Sequence, residues 1–215
     1  MIVTTTIALF GATGKTGRRV LDQALAQGLS VRALARDPAK IAVADDRLTV
    51  IEGDVLDARS VDRVVAGADA VLSVFGHVKG SPDGLQADGT RLILEAMQHH
   101  GITRIVTLSG GGLRAEGKDQ PKLQDRIIRG LLKLVSGRVL ADAEAHLELL
   151  QQSGLEWTVV RGPRLTEEPG TGSYGVGWVG GDSTTKISRD DLAEFLITQI
   201  DDRQFVREMP FVSAR

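Results

Sequence analysis

Short apolar runs alternate along this chain with longer stretches of helical period. Thr6-Ile7-Ala8-Leu9-Phe10 is a brief continuous run ended by glycine, which predicts a buried strand over 6–10. Over 15–27, Val20, Leu21, Ala24 and Leu25 share one helical face, and Gly28 supplies the stop. Strands are predicted over 31–36 and 48–51, the latter broken by Gly53-Asp54. Asp37-Pro38 reads as a cap followed by proline in the first helical turn, and Asp57 as the cap of a helix through Val64 and Val65.

The pattern continues with a strand over 70–75 ended by Gly76. The next helix, over 85–99, has Leu92, Ile93, Ala96 and Met97 as its apolar positions. A strand over 105–108 is ended by Ser109-Gly110-Gly111-Gly112, and a helix over 140–152 is closed by Ser153-Gly154. A strand over 157–160 ends at Gly162-Pro163. Parallel neighbours need long crossovers, so six strand–helix alternations predict an α/β fold. The expected form is a doubly wound parallel sheet of order 3-2-1-4-5-6 with helices on both faces.

Residues 170–181 break the pattern, with six glycines, Tyr174, Trp178 and no periodicity. They are expected to form a small flap or hairpin on the substrate side. Its aromatics either stack on a planar ligand or anchor the hairpin. Ser188 is the expected cap of a last helix, and 205–212 an edge strand. With no repeat and no linker, one domain over 1–215 is expected.

Composition narrows the chemistry. The chain carries 26 Lys+Arg against 28 Asp+Glu, a formal charge of −2. Without excess cations, general nucleic-acid binding is disfavoured. With no cysteine, disulfides, cysteine-based zinc sites and thiol catalysis are excluded. No His/Asp/Glu spacing suggests a metal site. No apolar run approaches the ~20 residues of a membrane helix, and no basic residue precedes the first apolar run, so a cytoplasmic protein is expected, monomeric or weakly homo-oligomeric. The basic stretch 114–138, with Leu131, Leu132 and Leu134 interleaved, reads as a solvated helix covering the substrate side.

The strongest chemical signal is Gly11-Ala12-Thr13-Gly14-Lys15-Thr16-Gly17. It lies directly after the first strand and before the first helix. Gly11 permits the turn off the strand, Gly14 lets backbone approach a pyrophosphate, and Gly17 lets helix pack on sheet. Free N–H groups at the helix start then meet the phosphates. A Walker loop is excluded, because no Gly-Lys pair ends a longer loop. The fold class is therefore Rossmann-like. A carboxylate at the end of the second strand would select NAD, and an arginine NADP. That strand ends in Arg36; Asp37 is occupied as a cap, and Lys40 and Lys15 are nearby. The reading favours NADP(H).

Several further segments carry a family likeness: Val31-Arg32-Ala33-Leu34-Ala35-Arg36-Asp37, Gly53-Asp54-Val55-Leu56-Asp57, Ser153-Gly154-Leu155-Glu156-Trp157-Thr158-Val159-Val160-Arg161 and Ile187-Ser188-Arg189-Asp190-Asp191-Leu192-Ala193. With the glycine loop, Pro169, Thr171-Gly172 and Tyr174, the chain resembles the atypical short-chain dehydrogenases with an NAD(P)H-binding domain, nearest the biliverdin reductase B / NADPH flavin reductase group. The resemblance implies an NADPH site in which Asp54 and Val55 flank the adenine and Phe75-Gly76 pass the pyrophosphate. Ser109, with the glycines after it, and Pro163 to Leu165 would surround the nicotinamide.

The chain also departs from that pattern. Short-chain dehydrogenases commonly use a Tyr-x-x-x-Lys pair on the helix after the fifth strand, and Val139-Leu140-Ala141-Asp142-Ala143-Glu144-Ala145-His146 has neither residue. The serine and histidine of the flavin reductase group would fall on Gly110 and Arg164. Ser109 and Arg164 are therefore the expected catalytic residues, Arg164 stabilising charge on the reduced acceptor. His77 is a candidate substrate contact, His146 a packing or surface residue, and His99-His100 complement a helix end. The expected activity is NADPH-dependent hydride transfer to a flavin, quinone or similar planar acceptor. A non-catalytic NADP(H) sensor of the NmrA type is the alternative, and an epimerase or dehydratase with tightly held NAD lacks a visible acid/base pair.

Overall fold

The central strands of the sheet are buried on both faces where the sequence runs continuously apolar. In the computed structural model, which describes residues 4–181 and 183–215 (123–129 and 131–136 as helix backbone only), these runs become β1 (Thr6–Phe10), β2 (Ser30–Ala35), β3 (Leu48–Glu52), β4 (Ala70–Ser73), β5 (Arg104–Gly110) and β6 (Glu156–Gly162). The crossovers are α1 (Lys15–Ala26), α2 (Ala58–Val65), α3 (Leu85–His100) and α4 (Leu123–Gln152). Beyond β6 come β7 (Arg164–Thr166), β8 (Tyr174–Gly177), β9 (Lys186–Ser188), α5 (Arg189–Thr198) and β10 (Phe211–Ala214).

The sheet has the order β3-β2-β1-β4-β5-β6-β10-β8, and its first six strands are parallel in the order the alternation predicts. Alternation along β1 splits the core in two. Ile7 and Leu9 meet Val20, Leu21, Ala24 and Leu25 of α1 and Leu192 and Leu196 of α5. Ala8 and Phe10 meet Val61, Val64 and Val65 of α2 and Ile93 and Met97 of α3. Each fully buried aliphatic side chain contributes about 1.5–3 kcal/mol, so the two layers bind the helices to both faces. The expected caps form: Asp57 accepts from Ser60 N at 3.1 Å, Asp37 from Ala39 N at 3.2 Å and Ser188 from Asp191 N at 3.0 Å.

Three expectations need correction. α4 begins at Leu123, well before the predicted start near residue 140. It includes Gly130 and Gly137, each of which costs a helix only about 1 kcal/mol. The side chains of Leu131, Leu132 and Leu134, on which the basic amphipathic reading rests, lie outside the described residues. The segment 170–181, expected as a flap or hairpin on the substrate side, instead extends the main sheet, where β8 pairs antiparallel with β10. Tyr174 packs edge-on against Phe195 at 6.0 Å, and Trp178 packs into the α2–α3 layer under Lys118. Both aromatics anchor the segment, and neither lines the cleft described below. Finally, β10 lies between β6 and β8 and is no edge strand.

A titratable side chain is buried in this framework between two threonine hydroxyls. His146 on α4 is 2% exposed. Its Nδ1 lies 2.6 Å from Thr90 Oγ1 of α3 and its Nε2 3.1 Å from Thr107 Oγ1 of β5. Burial pushes its pKa down to about 4, against a smaller opposing pull from Asp142. The unfolded chain therefore takes up this proton first as pH falls. Stability is complete above an ordinary histidine pKa of ~6.5 and declines between there and about 4, by a total on the order of 3 kcal/mol. Urea midpoints at pH 7.5 and 5 are expected to differ in the native protein and to converge in His146→Gln; an unchanged difference would remove His146 as the cause.

Candidate functional site

The carboxyl ends of β1, β2, β4, β5 and β6 open into one cleft of about 690 Å³. In an open parallel sheet this edge, where the strand order reverses, is where ligands bind. The β1–α1 loop forms its floor. Gly11 has φ +92°, a conformation that favours glycine. A Cβ there would lie 2.6 Å from Phe75 N, so the loop and β4 could not approach as they do. A Cβ on Gly17 would sit 2.0 Å from Gly11 O. Gly17 is therefore a packing residue below the cleft and not part of its wall. Gly14 begins α1 with no side-chain cap, so the first helical N–H groups keep their capacity for an anion.

The cations around this loop come from distant sequence. Arg189, at the start of α5, lines the cleft and donates to Thr16 Oγ1 at 2.7 Å. Glu167 gathers Lys15 at 3.2 Å, Arg19 at 2.9 Å and Arg189 at 2.9 Å. The Lys15 ammonium, above all, holds its carboxyl below the usual range. Sequence reading missed Arg189 and Glu167, because no local motif ties residue 189 to residue 16.

At the other end of the loop, Arg36 extends from β2 with its side chain 75% exposed, and its Nε is 4.0 Å from Asp54 Oδ2. Asp37 is turned away, capping the following turn and pairing with Lys40 at 3.6 Å. Lys40 is thus held by Asp37 and does not line the cleft, contrary to expectation. Asp54, Val55, Phe75 and Gly76 do line it. The Phe75 ring lies over Gly89 of α3, where a Cβ would come within 2.8 Å of it.

Ser109, Pro163 and Leu165 line the far end, with Val139 of α4. Ser109 is 7% exposed, and its Oγ has no hydrogen-bond partner among the described residues. A buried hydroxyl without a partner costs about 1–3 kcal/mol, a cost that a polar ligand group at this end of the cleft would relieve. Arg164 is not brought to the site. It neighbours the cleft-lining Leu165 on β7, and side chains alternate along a strand, so Arg164 is exposed on the opposite side. His77, after β4, lines the cleft, and its Nε2 lies 2.5 Å from Asp142 Oδ2. The sequence reading had not given Asp142 a role. At the other end of α3, His99 and His100 each approach Asp62 Oδ1 at 2.9 Å, and none of the three lines the cleft.

The site therefore combines a glycine cradle against a free helix start, cations beside it, an arginine at the second strand and an orphaned hydroxyl at the far end. These residues fit a pyridine dinucleotide laid across the sheet edge.

Comparison with known proteins agrees. Cinnamoyl-CoA reductase 1 of Oryza sativa subsp. japonica is 34% identical over 116 residues, covering 49% of this chain and 34% of that protein. A (4-alkanoyl-5-oxo-2,5-dihydrofuran-3-yl)methyl phosphate reductase of Streptomyces griseus is 31% identical over 176 residues, 79% of this chain and 53% of that one. The chain thus spans only a third to about half of these relatives. A short-chain dehydrogenase/reductase of Veillonella parvula, solved in complex with NADP, superposes with a TM-score of 0.81 over 98% of this chain and 95% of that one. At 18% identity it shows a shared fold. Residues 11–203, the span that begins at the glycine loop, match the family model described as NAD(P)H-binding, and the chain belongs to this NAD(P)H-binding family, as its likeness to atypical short-chain dehydrogenases implied.

Proposed function

We propose that the protein is an NADPH-dependent reductase that delivers a hydride to a planar, electron-poor acceptor such as a flavin or quinone. The observation that carries the choice of NADPH is the pairing at the end of β2. Arg36 is extended and lightly engaged, while the neighbouring carboxylate of Asp37 is consumed by its cap and by Lys40. A guanidinium there suits the 2′-phosphate, and no carboxylate faces the ribose from residue 37. Arg36→Ala is expected to weaken NADPH by about 10- to 100-fold, the value of a charge-assisted contact, and NADH far less. Titration of protein fluorescence with both coenzymes checks this; equal losses would mean that Arg36 does not read the phosphate.

The coenzyme supplies the hydride; the chain binds and orients. The α1 start and Lys15 hold the diphosphate, and Ser109 Oγ is positioned for a polar group at the reacting end. An electrophilic acceptor suits this end, because transfer to it depends mainly on stacking geometry. The apolar Val139 of α4 lines this end and offers a flat ligand a surface. Both reductases among the relatives act, by their names, on conjugated or thioester carbonyl compounds. NADPH oxidation, followed by the loss of the coenzyme's near-ultraviolet absorbance, with FMN, riboflavin and small quinones tests the reading. Tight NADPH binding with no turnover on any of them would favour the sensor reading, which the absence of a Tyr/Lys pair on α4 supports.

A further inference from the structure

His77 stands where β4 leaves the sheet, with Gly76 on one side and a cleft-lining loop on the other. Its side chain is 17% exposed, and that of Asp142 is 2% exposed. The carboxylate of Asp142 is immobilised from two directions. Oδ2 accepts the Gln86 N–H at 2.8 Å and Oδ1 accepts the Ala87 N–H at 2.9 Å. These are orphan donors at the start of α3, whose own cap position is Gly84 with no side chain to offer. Asp142 therefore caps α3 from a different helix, and it cannot swing away from His77.

The same Oδ2 lies 2.5 Å from His77 Nε2, in hydrogen-bond contact. The carboxylate accepts, so Nε2 carries its proton toward Asp142, and the tautomer is set by that bond. Nδ1 is left with no hydrogen-bond partner among the described residues, on a side chain that lines the cleft. A capping aspartate alone would need no imidazole. Here the second bond on Oδ2 fixes a titratable ring at the mouth of the site while leaving one ring nitrogen able to exchange a proton.

We propose that His77, oriented by Asp142, is the proton donor to the reduced acceptor, with Asp142 as its positioning residue. The proposal rests on the reductase reading above. In the step, the acceptor gains hydride at one atom of its conjugated system; that bond forms as the C4–H bond of the dihydronicotinamide breaks. Negative charge collects on the acceptor's conjugated oxygen or nitrogen. The imidazolium Nδ1–H bond breaks as the new O–H or N–H bond forms, and the neutral ring regains a proton from water. The acceptor gains two electrons and two hydrogens, the coenzyme is oxidised, and one solvent proton is consumed. The carboxylate beside Nε2 keeps the ring oriented toward the cleft during transfer.

His77→Gln keeps a donor toward Asp142 but has no proton to release. Its kcat is expected to fall about 100- to 1000-fold, the usual contribution of a positioned acid, with NADPH affinity unchanged. His77→Gly is expected to recover part of its rate with added imidazole. A readout independent of turnover comes from histidine-labelled apoprotein by ¹H–¹⁵N NMR. The chain has only four histidines, and the His77 signals are those lost in His77→Gln. In neutral protein they are expected to show the Nε2–H tautomer, with a downfield proton that disappears in Asp142→Asn. His77→Gln within threefold of the native kcat, no imidazole rescue, or an Nδ1–H tautomer would each overturn the proposal while leaving the reductase reading intact. Native protein that turns over no acceptor would overturn both.

Discussion

Asp119→Ala is expected to destabilise the protein by about 3–5 kcal/mol, the usual cost of stranding one member of a buried ion pair. For a chain of this size the thermal midpoint then falls by roughly 10 °C. The partner is Arg161 on β6, whose side chain is fully buried. Its Nη1 and Nη2 grip Asp119 at 2.7 and 2.9 Å, Nη1 also donates to Leu113 O at 2.8 Å, and Nε donates to Met209 O at 2.9 Å. Asp119 in turn accepts from Ala115 N at 2.8 Å and Val179 N at 3.1 Å. Burial raises the Asp119 carboxyl, but the guanidinium and the backbone donors outweigh it and hold the group below its usual range. One pair thus ties together the loop after β5, the approach to β10 and the segment after β8. Replacing both partners by apolar residues, Asp119→Leu with Arg161→Met, is expected to cost less than Asp119→Ala alone, because no charge is left buried. Urea melts of the three proteins check the order; a single variant within 1 kcal/mol of native, against the ~3 expected, would show that the pair is not needed.

Gly11→Ala is expected to raise the NADPH Kd by 100-fold or more, about 2.7 kcal/mol. Two effects act together. A left-handed backbone strains any side chain, at about 1–3 kcal/mol. The new methyl would also stand 2.6 Å from Phe75 N and 2.8 Å from Val74 C, so β1 and β4 must part at the edge that holds the coenzyme. The phosphate loop then moves relative to Phe75 and Gly76, and the two halves of the cleft no longer fit one ligand. Isothermal titration with NADPH, alongside a melt to show that the fold persists, measures this. Affinity within threefold of native would mean that the close approach of loop and strand is not what shapes the site.

The two predictions differ in how far the sequence alone announces them. Gly11 is legible because its task is local: a strand, a glycine-spaced turn and a helix follow one another, and each glycine answers to a neighbour within a few residues. The caps at Asp37, Asp57 and Ser188 are legible for the same reason, since a side chain reaches backbone two or three residues on. The order of the six parallel strands follows from crossover length and handedness, which leave few arrangements open.

Arg161 gives no such signal, because its partners at 113 and 119 follow β5 and the one at 209 precedes β10, and they meet only when both strands flank β6. Arg189 and Thr16, and His77 and Asp142, meet in the same way. Residues 170–181 look structureless because glycine carries no hydrophobic period, yet β10 offers them an unpaired edge that the backbone satisfies. Arg164 shows the converse: its position in the chain suggested the cleft, and the register of a three-residue strand turned it outward. The amino-acid sequence by itself determined the layered α/β architecture and the phosphate loop, because periodicity and short-range hydrogen bonding depend on near neighbours. Which cations and which imidazole face the cleft was decided only by the tertiary structure, because those contacts join residues tens to hundreds of positions apart through the packing of sheet and helices.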